Sequence, residues 1–177
     1  ETQGDSLGHL TRLQRLAPGD ALMLDPTAVA TLELFERAHD RSARGSLLST
    51  LDRTSTPMGA RMLRQWLLRP LLDPHAISGR QDAVAALMAE PARRATSRQE
   101  LRGIGDLERL SSRAALGIAH ARDLTGLRGF LGRLTALRES LAGLHAPLLA
   151  TLGEDITSLP ALHKLLDKAE LLFSGWT

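Results

Sequence analysis

The 177-residue sequence predicts an all-α, multi-helical fold, and three observations support that prediction. Hydrophobic residues make up 43% of the chain but aromatic residues only 3%, so a core must be built of Leu and Ala. These two residues, and the abundant Arg, have high helix propensity. Proline also recurs directly after a capping residue, as in Asp25-Pro26, which is typical of helix starts.

The one stretch that favours β structure lies near the N-terminus. In LQRLAPGDALMLD, a Pro-Gly-Asp turn separates two short apolar runs. We therefore expect at most one short β-hairpin near residues 13–24, with strands at Leu13–Leu16 and Ala21–Leu24. Asp25-Pro26 then predicts a capped helix start, and residues 38–45 are predicted to form a polar loop.

A dense run of small, polar and apolar residues follows between Gly45 and Val84. Ser46–Asp52 carries Leu at helical spacing and predicts a short helix. Thr54–Thr56 interrupts this pattern, and Pro57 is expected to begin the next helix with Thr56 as its N-cap.

The helix beginning at Pro57 has one apolar face, and Pro70 is expected to end it. The apolar face consists of Met58, Met62, Leu63, Trp66 and Leu67. This spacing predicts that Trp66 belongs to the core, in which case its truncation to Ala lowers the free energy of unfolding by roughly 3–5 kcal/mol. A surface role in stacking on a base is the alternative for Trp66.

Proline and acidic residues mark the later helix starts in the same way. The predicted helix starts lie at Asp73-Pro74, at Pro91, at or just after Asp106, near Asp123, at Pro147 and at Pro160. The helix after Asp123 carries three glycines at three-residue spacing, Gly126, Gly129 and Gly132. Each costs roughly 1 kcal/mol relative to Ala, so we expect their shared stripe to receive another helix at close range.

Arginine supplies nearly all of the positive charge and is concentrated in the middle of the chain. The formal net charge is +2 and the sequence pI is about 9.9. Between Arg93 and Arg138, ten Arg oppose four acids, so the net charge there is +6. Such a region could face phosphates, or its arginines could be solvated on helix faces. The second interpretation is favoured because the arginines are distributed over several predicted helices.

The sequence contains no pattern associated with catalysis or with a bound metal. Cysteine is absent, and the six histidines lack metal-ligand spacing. There is no Gly-rich loop followed by Lys-Ser/Thr that could hold a phosphate. No apolar run approaches the roughly 20 residues that span a bilayer. From its residues alone, the chain is predicted to be a structural or interaction domain and not an enzyme.

The segment GSLLSTLDRTSTPMGARMLRQWLLRPLLDPHAISGRQDAV closely resembles the core (lever) domain of the MutS family of DNA mismatch-repair proteins. The resemblance rests on Leu-Asp-x-Thr-x-Thr-x-Met-Gly, followed in order by Arg-x-Leu, Trp-Leu, Pro-Leu, Asp, Ile and Arg. A second matching segment, GDLERLSSRAALGIAHARDL, occupies residues 105–124. Thr31 and Ala121 depart from the family pattern, standing where Asn and Pro are usual.

The resemblance marks structural signature residues and implies no catalytic, cofactor-binding or metal-binding residue in this chain. The signature residues are Asp52, Thr54, Thr56, Met58, Gly59, Arg61, Trp66, Pro70, Asp73, Arg80, Asp106, Arg122 and Asp123. It also implies three segments. Residues 1–25 would be the exit from a connector domain, residues 26–166 the core, and residues 167–177 a truncated or divergent C-terminus.

A protein of this family is expected to be a dimeric, ATP-regulated, cytoplasmic sensor of mismatched DNA with no membrane partner. Its ATP and Mg²⁺ would be bound by an ATPase domain, and its DNA by domains whose motifs this sequence lacks. The chain is therefore expected to couple the ATPase to the DNA clamp through rigid helices. Its partners would be the other domains of the same polypeptide and a second MutS subunit. The alternative is a stand-alone helical module that binds duplex DNA without sequence preference through Arg93–Arg138.

Overall fold

The computed structural model describes residues 21–174, which form nine helices and no β-sheet. The helices are α1 (Pro26–Thr31), α2 (Leu47–Leu51), α3 (Pro57–Leu68), α4 (Pro74–Ala89), α5 (Pro91–Arg102), α6 (Leu107–Ala115), α7 (Ala121–Leu141), α8 (Pro147–Asp155) and α9 (Pro160–Ser174). The predicted all-α class is confirmed. None of these helices is both long enough and apolar enough to cross a membrane.

Only the second strand of the predicted hairpin lies in the described part of the chain, and that segment forms a single bridge in place of a strand. Leu13–Leu16 lies outside the described residues. Ala21 makes one isolated antiparallel bridge with Leu71, and the Leu22 N–H donates to the Pro70 carbonyl at 2.8 Å. The predicted strand at Ala21–Leu24 is therefore wrong. Its first residues pair instead with the extended backbone that Pro70 creates by ending α3.

Six of the nine described helices begin at proline, as the sequence predicts. Their first residues are Pro26, Pro57, Pro74, Pro91, Pro147 and Pro160. Side-chain caps accompany several of them: Asp25 Oδ1 accepts from the Ala28 N–H at 2.6 Å, and Thr56 Oγ1 accepts from the Gly59 N–H at 3.0 Å. Proline presets the first helical dihedral at all six starts, and at α1, α3 and α4 a side-chain cap also satisfies an unpaired N–H.

The connection between α1 and α2 is held by its own backbone. The N–H groups of Leu47 and Leu48 donate to the carbonyls of Glu33 and Leu34, at 3.0 and 2.9 Å. Ser46, only 1% exposed, caps α2. The predicted polar loop and the predicted short helix after it are both confirmed.

Helix α7 is the centre of the described fold, since α5, α6, α8 and α9 all pack against it. The glycine stripe predicted on α7 does not receive a single helix. A Cβ at Gly126 would lie 3.2 Å from a Leu110 methyl on α6, and one at Gly132 would lie 3.3 Å from the His163 ring on α9. Gly129 faces open space. An α-helix has 3.6 residues per turn, so residues three apart are displaced around the helix axis. The glycines of α7 therefore face different neighbours.

The best-buried apolar cluster lies between α4, α8 and the connection that leaves α7. It consists of Ala83, Leu144, Ala146 and Leu149, with Ala86, Leu87 and Leu141 packed against it. The composition of this cluster agrees with the predicted Leu and Ala core. Elsewhere many large apolar side chains remain exposed, among them Met88, Leu116 and Leu165.

We predict that Leu149→Ala lowers the free energy of unfolding of this chain by roughly 2–5 kcal/mol, because Leu149 is 5% exposed and its loss leaves a cavity. Urea denaturation followed by circular dichroism measures the change. Leu116→Ala is the matched control, since Leu116 is 71% exposed. Equal effects of the two substitutions would contradict the position of the core.

Candidate functional site at the junction of α3 and α6

The turn that precedes α3 is built from its own polar side chains. Asp52 Oδ1 accepts from the Thr54 N–H at 2.9 Å and from the Thr54 hydroxyl at 2.7 Å. These two hydrogen bonds, the backbone one first, hold the pKa of Asp52 below its ordinary value. A Cβ at Gly59 would lie 3.0 Å from the Thr56 hydroxyl, so glycine leaves room for the cap of α3. The carboxylate and hydroxyls thus fix the direction in which α3 starts.

Arg61 joins α3 to the N-terminus of α6. Its Nη1 donates to Asp106 Oδ2 at 2.8 Å, and its Nη2 donates to Asp106 Oδ1 at 2.9 Å and to Glu108. The structure therefore brings together two signature residues that lie 45 positions apart in the sequence. A bidentate pair of this kind fixes orientation as well as distance, because the guanidinium and the carboxylate are both planar.

Asp106 also caps the N-terminus of α6. Its Oδ1 accepts from the Arg109 N–H at 3.3 Å. The hydrogen bonds from Arg61 hold the pKa of Asp106 below its ordinary value, and the bonds to Asp106 and Glu108 raise the pKa of Arg61. Both groups are therefore stabilised in their charged forms. The start of α6 and its attachment to α3 depend on one carboxylate.

A second contact ties the signature turn to α5. Arg98 Nη2 donates to the backbone carbonyl of Arg53 at 2.8 Å. Sequence reasoning missed this contact and the part played by Glu108. Every residue has a backbone carbonyl that can accept a hydrogen bond, so the sequence does not indicate which carbonyl Arg98 binds.

Trp66 is 43% exposed, so the prediction that it belongs to the core is wrong. Its ring instead stacks against Arg80, whose guanidinium carbon lies 3.8 Å from the ring centroid. Met62, one turn earlier on the same face, is 53% exposed, and Met58 is only half-buried. In the described residues α3 packs mainly on α2, and five residues cannot cover a face that is twelve residues long.

Asp123 fixes the corner between α6 and α7. It is buried and accepts from the His120 N–H at 3.1 Å and from Arg113 Nε at 2.8 Å. These contacts, the backbone one first, lower the pKa of Asp123. The neighbouring signature residue, Arg122, is exposed and is not brought to the junction.

Two other signature residues define the passage from α3 to α4. The Pro70 carbonyl accepts a hydrogen bond from the Leu22 N–H. Asp73 caps α4, because its carboxylate accepts hydrogen bonds from the N–H groups of His75 and Ala76 at 3.0 and 3.3 Å. The connection between the two helices is therefore anchored at both ends.

The polar side chains of the junction bind other groups of the same chain. Its carboxylates bind arginine or backbone N–H groups, and its threonine hydroxyls bind within the turn. Among the described residues no group of three or more His, Cys, Asp or Glu side chains could hold a metal ion. The sequence also lacks a Gly-rich loop followed by Lys-Ser/Thr, the pattern that holds a nucleotide phosphate.

Residues 27–172 match the family described as MutS domain III. The chain belongs to this family. It is 42% identical over 164 residues to the DNA mismatch repair protein MutS of Symbiobacterium thermophilum, covering 93% of this chain and 19% of that protein. The MutS of Synechococcus elongatus is 45% identical over 154 residues, covering 87% of this chain and 18% of the relative. The MutS of Synechocystis is 49% identical over 152 residues, covering 86% and 17%.

The chain thus spans less than a fifth of the length of these MutS relatives. The resemblance found in the sequence is confirmed. The structure adds that its two most specific segments meet, since Arg61 lies in the first and Asp106 in the second.

We predict that the Arg61–Asp106 pair makes the stability of this MutS domain depend on pH. The folded-state pKa of Asp106 is lowered, so the pair stabilises the fold above the ordinary Asp pKa of about 4 and loses its effect as the pH falls below it. Asp106→Asn keeps an oxygen that can cap α6 but removes the charge. The melting-temperature difference between parent and variant should be largest near neutral pH and shrink on acidification below about pH 4.

Two arginine variants control that experiment. Arg61→Met should produce the same pH-dependent difference, whereas Arg69→Met, at the exposed end of α3, should not. If the difference for Asp106→Asn were the same at every pH, the pair would have no electrostatic part in stability.

We predict that Trp66→Ala costs roughly 1–2 kcal/mol of unfolding free energy, less than a core tryptophan, because 43% of the side chain is already exposed. A double-mutant cycle of Trp66→Ala with Arg80→Ala should give a coupling of roughly 0.5–1 kcal/mol from the cation–π contact. Urea denaturation measures each member of the cycle. The same cycle with Arg138→Ala, on α7, should be additive. A cost of Trp66→Ala above roughly 3 kcal/mol would show that Trp66 is a core residue after all.

Proposed function

We propose that this chain is the interdomain core of a MutS-type mismatch-repair protein, where it passes a rotation between an ATPase domain and a DNA clamp. Its membership in the MutS domain III family supports this role. ATP and Mg²⁺ would act outside this chain, and no catalytic step is assigned to its residues. The second subunit, the mismatched duplex and the cytoplasmic location belong to the same proposal.

The observation that carries the proposal is the bidentate pair between Arg61 and Asp106. It fixes α3 to the first turn of α6, while Arg98 fixes the preceding turn to α5. Since α5 and α6 both pack on α7, a displacement of α3 is transferred to the centre of the fold. Helices are stiff, so such a displacement is carried as a rigid-body movement.

The exposed apolar side chains also support placement inside a larger assembly. Trp66, Met88 and Leu165 are among the large apolar residues that the described helices leave exposed. Extended apolar exposure is typical of surfaces that contact other protein parts. In the proposed assembly, neighbouring domains cover these residues.

The stand-alone DNA-binding alternative is weakened by how the arginines are used. Of the ten between Arg93 and Arg138, three bind carboxylates and two bind backbone carbonyls within the chain. Half of these ten arginines therefore bind other groups of the same chain. The gene sequence on both sides discriminates the two functions, since the core role requires a mismatch-reading domain upstream and a phosphate loop downstream in frame.

We predict that Arg61→Met in the full-length protein uncouples nucleotide from DNA. Mismatch binding without ATP should be retained, while the ATP-dependent change in DNA affinity should fall by about fivefold or more, because the link from α3 to α6 is lost. Fluorescence anisotropy with mismatched and fully paired duplexes, with and without ATP, measures both quantities.

Two further variants, one in α3 and one at its C-cap, sharpen this test. Arg69→Met removes the same charge at an exposed position and should leave the coupling unchanged. Arg61→Lys should be intermediate, because lysine keeps the charge but cannot bind the carboxylate in a bidentate manner. If Arg61→Met kept the full ATP-dependent change in DNA affinity, the proposed role of the junction would be contradicted.

A further inference from the structure

A groove of about 480 Å³ lies between the second half of α4 and the connection that leads into α8. Its lining is mainly apolar, and the apolar part consists of Ala85, Ala86, Ala89, Leu144 and Pro147. We call this feature the α4–α8 groove. Because the α4 wall is made of alanines, it presents little side-chain bulk to a partner.

Two carboxylates, Asp82 and Glu90, flank these alanines along α4 and also line the groove. Both residues are exposed. Glu90 is the N-cap residue of α5, yet its side chain makes no capping hydrogen bond. Among the side chains that the structure describes, those of residues 21–169, neither carboxylate has an ion-pair partner. Both charges are therefore available to a bound group.

The groove is negatively charged, because no arginine or lysine lines it. Arg93, on α5, reaches its edge at Gly143, but the Arg93 guanidinium donates to the Ala142 carbonyl. The third titratable group in the lining, His145, carries no negative charge in either protonation state. An apolar floor between two acids complements a partner that has an apolar surface between two cations.

The dimensions of the groove suit an α-helix. Asp82 and Glu90 are eight residues apart, which corresponds to about 12 Å along the axis of α4. Two basic residues eight positions apart on a helix that runs alongside α4 span the same distance. The alanines permit a close approach of the two helix axes, since that distance depends on the side chains at the contact. The aliphatic stems of Arg or Lys can then lie on the apolar floor while their charged ends reach the carboxylates.

The position of the groove favours a separate protein as the source of this helix. The polypeptide enters the described fold beside the start of α4, where Ala21 bridges Leu71. The groove lies at the other end of α4, a helix of 16 residues and therefore about 24 Å long. The segment that precedes Ala21 thus joins the fold away from the groove.

We propose that the α4–α8 groove binds a basic helix of a separate protein. The helix carries two Arg or Lys residues eight positions apart, with small apolar residues between them. This inference goes beyond the proposed function and is independent of it, because neither α3 nor α6 contributes to the groove.

The test is fluorescence anisotropy of a labelled, alanine-based helical peptide with two arginines eight residues apart, titrated with the full-length protein. Asp82→Asn with Glu90→Gln should weaken binding about tenfold or more, because both charge-assisted hydrogen bonds are lost. Ala85→Leu leaves the charge unchanged but fills the floor, and it should weaken binding as well. The matched control, Glu139→Gln with Asp155→Asn, removes two negative charges at exposed positions outside the groove and should bind as the parent does.

The 177-residue chain, titrated with the same peptide, tests the source of the occupant. Equal binding by this chain and by the full-length protein supports a separate partner. Binding by the chain alone overturns the proposal, because another part of the same polypeptide then covers the groove. A full-length parent that does not bind the peptide also overturns it. Two further results have the same consequence: equal losses in the acid variant and its control, which show an effect of overall charge, and parental affinity in Ala85→Leu, which places the contact elsewhere.

Discussion

The orientation of α3 depends on the pair between Arg61 and Asp106. Among the described helices, α3 packs mainly on the five-residue α2, which offers it little apolar support. A partly exposed ion pair is screened by water, so its main contribution is geometric. Because Asp106 is also the N-cap of α6, the position of α3 and the start of α6 cannot be changed independently.

The helix starts could be predicted from the sequence because each is encoded within about four residues. Asp25, Thr56, Asp73 and Asp106 cap helices as expected from their types and spacing. The signature residues could be recognised as a set, but their contacts could not. Nothing local in the sequence assigns Arg61 to Asp106 in preference to another carboxylate, because that choice depends on how the helices cross.

Two of the errors, those about Trp66 and about the glycines of α7, share one cause, which is that periodicity describes a face and not what covers it. The spacing of Met58, Met62 and Trp66 correctly marks an apolar face, yet the described helices leave Trp66 stacked on Arg80 and half in solvent. The glycine stripe of α7 failed in a related way. Its members lie near one another on the cylinder, but α6 and α9 approach from different sides. Which side chains are buried therefore depends on the tertiary arrangement and could not be predicted from periodicity alone.

Arginine performs most of the long-range attachment in the described residues, and lysine is nearly absent from the sequence. The only lysines are Lys164 and Lys168, both on α9. Arg113 shows the advantage, since it donates to Asp123 through Nε and to the Ile118 carbonyl through Nη2, at 2.8 and 2.9 Å. A fork that reaches two acceptors can join two elements, whereas an ammonium group acts as a single point of charge. The net charge of a segment thus overstates the charge that it offers to a partner.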